Sequence, residues 1–311
     1  RSFPRLRPRL IRLGKAEPKA SPKPKPGTEH ESPPARTQPC NPKPTPETPT
    51  MATGSSGNGA SSRNRKIGIL VVGLGGNNGV TMLAGLMAVK EKLTYESYMG
   101  SIQANLGGCI SQLQSKGDYG GVGFADRYDL AAFENCALGG WDIRATPLGD
   151  ALYASRVLEY DLTRQVRDAM NTFPVMPGVW DADWIGETQH ETATHVVPNL
   201  ATMTRKQKVE HIRADIRRFK EENGVDGHCT VIWSASVERP CESEFKTPEE
   251  LMAAIEDDSI GEVSPSILYA VAAMEEGASF CNGGSQNTLQ PGKQPNSCAN
   301  SIANPDPSPN P

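Results

Sequence analysis

The chain has 311 residues, enough for about two domains, and no run of 18 apolar residues that would suit a membrane-spanning helix occurs in it. A net charge of −4 gives no electrostatic reason to expect nucleic acid, so the expected partners include neither nucleic acid nor membrane. That average hides a split: residues 1–50 hold 13 of the 26 prolines and 11 Lys/Arg against 4 Asp/Glu, leaving 21 basic against 32 acidic groups in the rest.

Residues 1–65 read as a disordered tail, rich first in Pro, Lys and Arg and then in Gly and Ser, because no periodic apolar positions offset the entropy of ordering. The chain begins at Arg1 and its first methionine is Met51, so residues 1–50 are expected to be translated upstream sequence rather than a transit peptide. Lys293 to Pro311 form a second tail, with five prolines and no aromatic residue. Folding is therefore expected over residues 66–292.

Within that span, Ile67 to Val72 is a short β-branched run of the kind buried on both faces of a parallel sheet. A glycine turn follows, and Val80 to Val89 is long enough for a helix. Thr204 to Glu222 places Val209, Ile212, Ile216 and Phe219 on one helical face. Cys229 to Ala235 reads as a second buried strand. Thr247, Pro248 and Glu250 carry the signals of a helix start, and Ser264-Pro265 opens another helix that stops at Gly277. Phe280-Cys281 then leads into a turn at Asn282-Gly-Gly284. Alternation of strands and helices predicts an α/β fold, a Rossmann-type doubly wound parallel sheet with helices on both faces.

The turn Gly73-Leu-Gly-Gly-Asn-Asn-Gly79 follows a strand directly and opens a helix, the context in which backbone N–H groups face a pyrophosphate. Its spacing is one residue longer than the commonest dinucleotide fingerprint, whose third glycine position is taken by Asn78. The acid expected about 20 residues later is not obvious: Glu91 lies at the helix end and Glu96 in a polar stretch. His190 and His195 are five residues apart, too far round a helix for the zinc spacing, and no metal site is expected. The seven cysteines contain no Cys-x-x-Cys and read as reduced thiols of a cytoplasmic protein. The cations of the 205–220 helix read as its solvated face.

The ordered set Gly73-Leu-Gly-Gly-Asn-Asn-Gly79, Gly140-Trp-Asp-Ile143, Glu262-Val-Ser-Pro-Ser266 and Gln286-Asn-Thr288 with Pro291-Gly292 resembles the amino-terminal half of eukaryotic inositol-3-phosphate synthase. Tyr98-Met-Gly-Ser101, Gln103-Ala104, Ile212 to Ile216 and Val231 to Ala235 also fit, so the resemblance covers about residues 66–292. It implies an NAD-dependent isomerase that converts glucose 6-phosphate to inositol phosphate by oxidation, enolisation, intramolecular aldol closure and reduction, regenerating its NAD. It also implies that Gly73, Gly75, Gly76, Asn77, Asn78 and Gly79 approach the NAD phosphates, that Asp142 supplies the ribose-side acid, and that Gln189, Ser234, Ala235 and Gly283 line the cofactor.

Departures from the family pattern fall at Gly186-Glu-Thr188, Thr192, Ser236, Val237 and Gly284-Ser285. Ser236 and Val237 replace Asn and Thr, Glu187 brings a carboxylate near the expected cofactor, and Gly284-Ser285 lacks a proline. No family catalytic lysine falls within the matched part, so these residues name no catalytic group and the 311 residues alone are expected to be inactive. The family forms homo-oligomers, expected here as tetramers with much of the interface missing. Two alternatives stand beside this reading: a non-catalytic NAD-binding or partner-binding fragment, and an ordinary NAD-dependent oxidoreductase.

Overall fold

The computed structural model describes residues 64–112, 124–128 and 130–284. The expected tails lie outside the described residues, except Asn64 and Arg65, as do Gln286 to Thr288 and Pro291-Gly292.

Strand β1 (Gly68–Val72) runs into helix α1 (Asn77–Lys90), followed by the hairpin β2 (Thr94–Ser97) and β3 (Gly100–Gln103) and a single turn α2 (Phe124–Arg127). Then come β4 (Ala137–Asp142), α3 (Leu148–Ser155), α4 (Tyr160–Asn171) and the two-residue β5 (Met176–Pro177). Helix α5 (Arg205–Glu222) precedes β6 (Cys229–Trp233), α6 (Pro248–Glu256), α7 (Pro265–Glu275) and β7 (Ser279–Asn282).

Five strands form one parallel sheet in the order β5-β4-β1-β6-β7. The chain builds outward from β1 through β4 to β5, then returns to β1's other side for β6 and β7. That reversal makes a doubly wound Rossmann-type sheet and leaves a switch point between β1 and β6. Val72 is level with both Trp141 and Trp233, so β1, β4 and β6 end together at one carboxyl edge. Hairpin β2–β3 is antiparallel and separate from this sheet.

Successive residues of β1 point to opposite faces, and the core divides accordingly. Leu70 and Val72 pack with Ile212, Ile216 and Phe219 of α5 and with Leu268 and Val271 of α7. Val71 packs with Val80 and Leu83 of α1, Leu152 of α3, and Val166 and Met170 of α4. The two faces are covered by different helices, which explains why β1 is apolar throughout.

Helix starts follow the expected side-chain chemistry. Thr204 and Gln207 form a reciprocal capping box at α5. At α6 the Thr247 hydroxyl accepts from the Glu250 N–H, but the Glu250 carboxylate reaches one residue further back, to the Lys246 N–H at 2.6 Å. Ser264 caps α7, and the chain leaves that helix through Gly277 at φ +66°.

Strand β4 carries no strand signature in its sequence because Gly139 and Gly140 interrupt it. Both glycines are required by close approach. A Cβ on Gly139 would lie 2.7 Å from the Phe219 ring, and one on Gly140 would lie 2.1 Å from the Val71 carbonyl oxygen. Helix α5 can thus sit low on the sheet, with Phe219 over β1 and β4.

Candidate functional site

The site lies along the carboxyl edge of β1, β4 and β6. Leaving β1, the chain turns at Gly73, whose φ of +87° suits glycine. A Cβ there would come within 2.8 Å of the Ala235 backbone, so glycine also lets the β1 and β6 turns close on each other. The Gly73 and Leu74 N–H groups both donate to the Trp141 carbonyl, at 2.8 and 3.0 Å. Gly76 takes the N-cap position of α1 in extended conformation, with no side-chain cap and no acid in the first helical turn. The donors at the start of α1 are therefore left for an anion.

The third glycine of the motif is Gly79. A Cβ on it would lie 2.3 Å from the Leu74 carbonyl oxygen, whereas Asn78 is exposed and places its amide 3.3 Å from the Ser234 hydroxyl. The role of the third glycine thus falls one residue later than the usual spacing, because this turn contains one more residue.

Asp142 ends β4, the strand beside β1, although 67 positions separate it from Gly75 in the sequence. Its carboxylate is 4% exposed. One oxygen accepts the Gly75 N–H at 2.7 Å; the other accepts the Arg144 N–H at 2.8 Å and the Arg144 Nε at 3.3 Å. A Cβ on Gly75 would come 2.9 Å from that carboxylate. Gly75 therefore faces Asp142, with its N–H directed to it.

These turns open on a cavity of about 380 Å³, lined among others by Gly73, Gly76, Asp142, Gln189, Ser234 and Ala235. Gly75, Asn77, Asn78, Gly79 and Gly283 stand outside its lining; Gly283 is exposed and donates its N–H to the Trp233 carbonyl at 2.8 Å. Asn77 and Asn78 are exposed on the first turn of α1.

The apolar wall is Trp141, Trp180, Trp233, Ile185 and Tyr269. Tyr269 packs edge-on against Trp141 and Trp233, with ring centroids 5.1 and 5.9 Å away. Its hydroxyl accepts the Val179 N–H at 2.9 Å, and full burial pushes the phenol above its ordinary pKa. Trp141 and Trp233 lie at the ends of β4 and β6, Tyr269 on α7, and Trp180 and Ile185 in the segment after β5, so only the tertiary fold joins them into one wall.

Several departures from the family pattern acquire definite places. Ser236 donates its hydroxyl to Gln189 Oε1 at 2.7 Å, fixing that side chain at the cavity edge. Thr192 lines the cavity and donates to the Gln189 carbonyl. Glu187, expected to bring a carboxylate near the cofactor, is exposed and outside the lining. Val237 is 46% exposed and also outside it. His190 stacks edge-on against Trp180 and places Nε2 3.1 Å from the Ala182 carbonyl, while His195 places Nδ1 3.1 Å from the Asp142 carbonyl. Both rings are engaged with backbone. Among the described residues no cluster of three His, Cys, Asp or Glu is arranged for a metal ion.

The family model for myo-inositol-1-phosphate synthase, an NAD-binding domain, matches residues 67–302. The chain belongs to this family. Inositol-3-phosphate synthase isozyme 1 of Arabidopsis thaliana is 39% identical over 236 residues, covering 73% of this chain and 45% of that protein. Isozyme 2 of the same plant is 39% identical over 240 residues. The crystal structure of inositol-3-phosphate synthase from Caenorhabditis elegans superposes with a TM-score of 0.66 at 33% identity, covering 77% of this chain and 47% of that one. The chain spans somewhat under half the length of these synthases. What it carries is the family's NAD-binding domain.

Proposed function

We propose that this chain supplies the NAD site of an inositol-3-phosphate synthase, the isomerase that turns glucose 6-phosphate into inositol phosphate. The observation that carries this reading is the uncapped start of α1 behind Gly73 to Gly79, set at the switch point of the sheet. There the first-turn N–H groups would meet the diphosphate, and Gly73 and Gly76 leave room for it to approach. Asp142 would accept from a ribose hydroxyl while holding the Gly75 N–H. Gln189, oriented by Ser236, and the turn at Ser234, Ala235 and Gly283 would bound the rest of the cofactor.

When bound, NAD supplies reversible hydride transfer, which lets an isomerisation proceed without net redox change. The aromatic wall excludes water from that chemistry. No lysine lines the cavity among the described residues, and these 311 residues by themselves are proposed to bind NAD without turning over glucose 6-phosphate. In this reading the setting is cytoplasmic, and the homo-oligomer is that of the family.

Titration with NAD⁺, followed by calorimetry, tests the cofactor site. Saturable 1:1 binding that is lost in Gly73→Val supports it, and the absence of binding by the folded chain defeats it. Incubation with glucose 6-phosphate and NAD⁺ tests the second claim: inositol phosphate formed by the purified 311 residues would overturn it. Net accumulation of NADH would instead favour an ordinary oxidoreductase.

A further inference from the structure

On the dinucleotide reading, the cofactor lies across the crevice at the switch point between β1 and β6, with its adenosine ribose at Asp142 on the β4 side. Its other half, the nicotinamide, then falls on the β6 side, along the turn that runs from Ser234 to Glu238. The two oxidation states of that ring differ by one unit of charge, since the ring is a cation in NAD⁺ and neutral in NADH. Fixed charge on this side of the cavity therefore bears on which state is held more tightly.

Among the described residues, the charged side chains that line the cavity are Asp142, Asp181 and Glu238 against Arg144. Arg144 places its Nε 3.3 Å from Asp142, so the one guanidinium of the lining is engaged at the β4 end. Asp181 is half-buried, and one of its oxygens accepts the Asp183 N–H at 3.0 Å. Glu238 is only 4% exposed. One of its oxygens accepts the Ser266 N–H at 2.9 Å and the other the Ser266 hydroxyl at 2.5 Å, in the first turn of α7. A buried carboxylate is costly without such donors, and the start of a helix is a favourable place for it. These donors fix the group in position and, being neutral, leave its charge on the cavity. Glu238 is not among the cofactor positions that the family resemblance implies.

We propose that Glu238 is a specificity-determining residue of this site: its fixed carboxylate, on the nicotinamide side, favours the cationic ring, so that NAD⁺ binds more tightly than NADH. The inference rests on the dinucleotide reading of the glycine turn and adds a choice between the two oxidation states of the same cofactor. An opposite charge held in a partly desolvated cavity attracts far more strongly than it would in water. Arg144 lies at the other end of the crevice and acts on both states alike.

The experiment is a pair of calorimetric titrations of the 311-residue chain, with NAD⁺ and with NADH, repeated on Glu238→Gln and Asp181→Asn. The dissociation constant for NAD⁺ is expected to lie about fivefold or more below that for NADH. That ratio should approach one in Glu238→Gln, which keeps the size of the side chain and an acceptor for Ser266 but removes the charge. It should largely survive in Asp181→Asn. Because the readout is a ratio within each variant, a general loss of affinity does not mimic it. NADH binding as tightly as NAD⁺, or more tightly, would overturn this proposal and leave the dinucleotide reading standing. A ratio unchanged in Glu238→Gln would do the same. Should Glu238→Gln fail to fold, Asp181→Asn still decides: loss of the preference there would show that Glu238 is not its source. Failure of the folded chain to bind either form would overturn both readings.

Discussion

The indole Nε1 of Trp141 donates to Asp215 Oδ2 at 2.8 Å, joining β4 to α5 beneath the cavity. Asp215 is 2% exposed and is also paired with Arg218 on its own helix. A buried carboxylate in the middle of a helix is costly unless its oxygens are satisfied, and here a strand residue from across the core satisfies one. Asp215→Ala should destabilise the fold by about 1–3 kcal/mol, because it leaves the indole N–H without an acceptor. Trp141→Phe should also destabilise, and the double variant should cost less than the sum of the two. Urea denaturation of the four proteins checks this, and strict additivity would show that the two groups do not interact.

Two glycines of α1 should respond in opposite directions. At Gly79 a Cβ would overlap the Leu74 carbonyl oxygen at 2.3 Å, whereas at Gly85 nothing lies within 4 Å. Gly79→Ala is expected to cost about 1–3 kcal/mol by forcing the turn outward, and to weaken NAD⁺ binding with it. Gly85→Ala is expected to gain about 0.5–1 kcal/mol, since alanine loses less conformational freedom in a helix. Thermal melts in the absence of ligand separate the two cases.

The Asp142 carboxylate is expected to act on the cofactor chiefly by shaping the turn. Asp142→Ala frees the Gly75 N–H and removes the counter-charge of Arg144. NAD⁺ affinity should fall about tenfold or more while the stability of α5 and α7, on the other face of the sheet, is retained. Hydrogen exchange localised to residues 73–80 would register the loosening; protection unchanged there would contradict it.

Acid sensitivity should concentrate at Glu262. The Arg239 guanidinium binds its carboxylate through two hydrogen bonds and, despite some burial, holds its pKa down to about 2. A carboxyl depressed in the folded state contributes stability above its unfolded pKa of 4.5 and loses it as the pH falls toward 2. Both partners are partly exposed, so the contribution is about 1 kcal/mol or less after screening. Glu262→Gln should therefore be less stable at pH 7 and should lose less stability between pH 4.5 and pH 2. Parallel acid titrations followed by circular dichroism test the difference in slope.

Thiol chemistry should divide the cysteines by burial. Desolvation pushes the Cys136, Cys229 and Cys241 thiols up to about 11, which keeps them protonated at neutral pH. Cys281 is exposed at the end of the sheet. Alkylation of the native protein at pH 8, read by peptide mass spectrometry, should label Cys281 well before those three.

Much of the fold was legible because it is written locally. The glycine turn sits directly between a buried strand and a helix, and the capping residues Thr204, Thr247 and Ser264 lie immediately before the helices they start. Strand β4 was hidden, since its two glycines look like a loop until Phe219 and the Val71 carbonyl are seen to require them. Helices α3 and α4 and the hairpin β2–β3 also went unread. In α4 the apolar positions Leu162, Val166 and Met170 recur every four residues, a signal that was available.

The sequence alone determined that β1 leads through a glycine turn into a helix, because strand, glycine and helix propensities act over a few residues. The resemblance to the synthases pointed to Asp142, which no local spacing singles out. Only the tertiary structure decided how that acid is used. Parallel pairing of β1 and β4 brings residues 67 positions apart to 2.7 Å, ties Asp142 to Gly75, and sets Arg144 against the same carboxylate at the cavity. Hydrogen-bond partners that meet across a sheet depend on register and burial, and neither has a counterpart in sequence spacing.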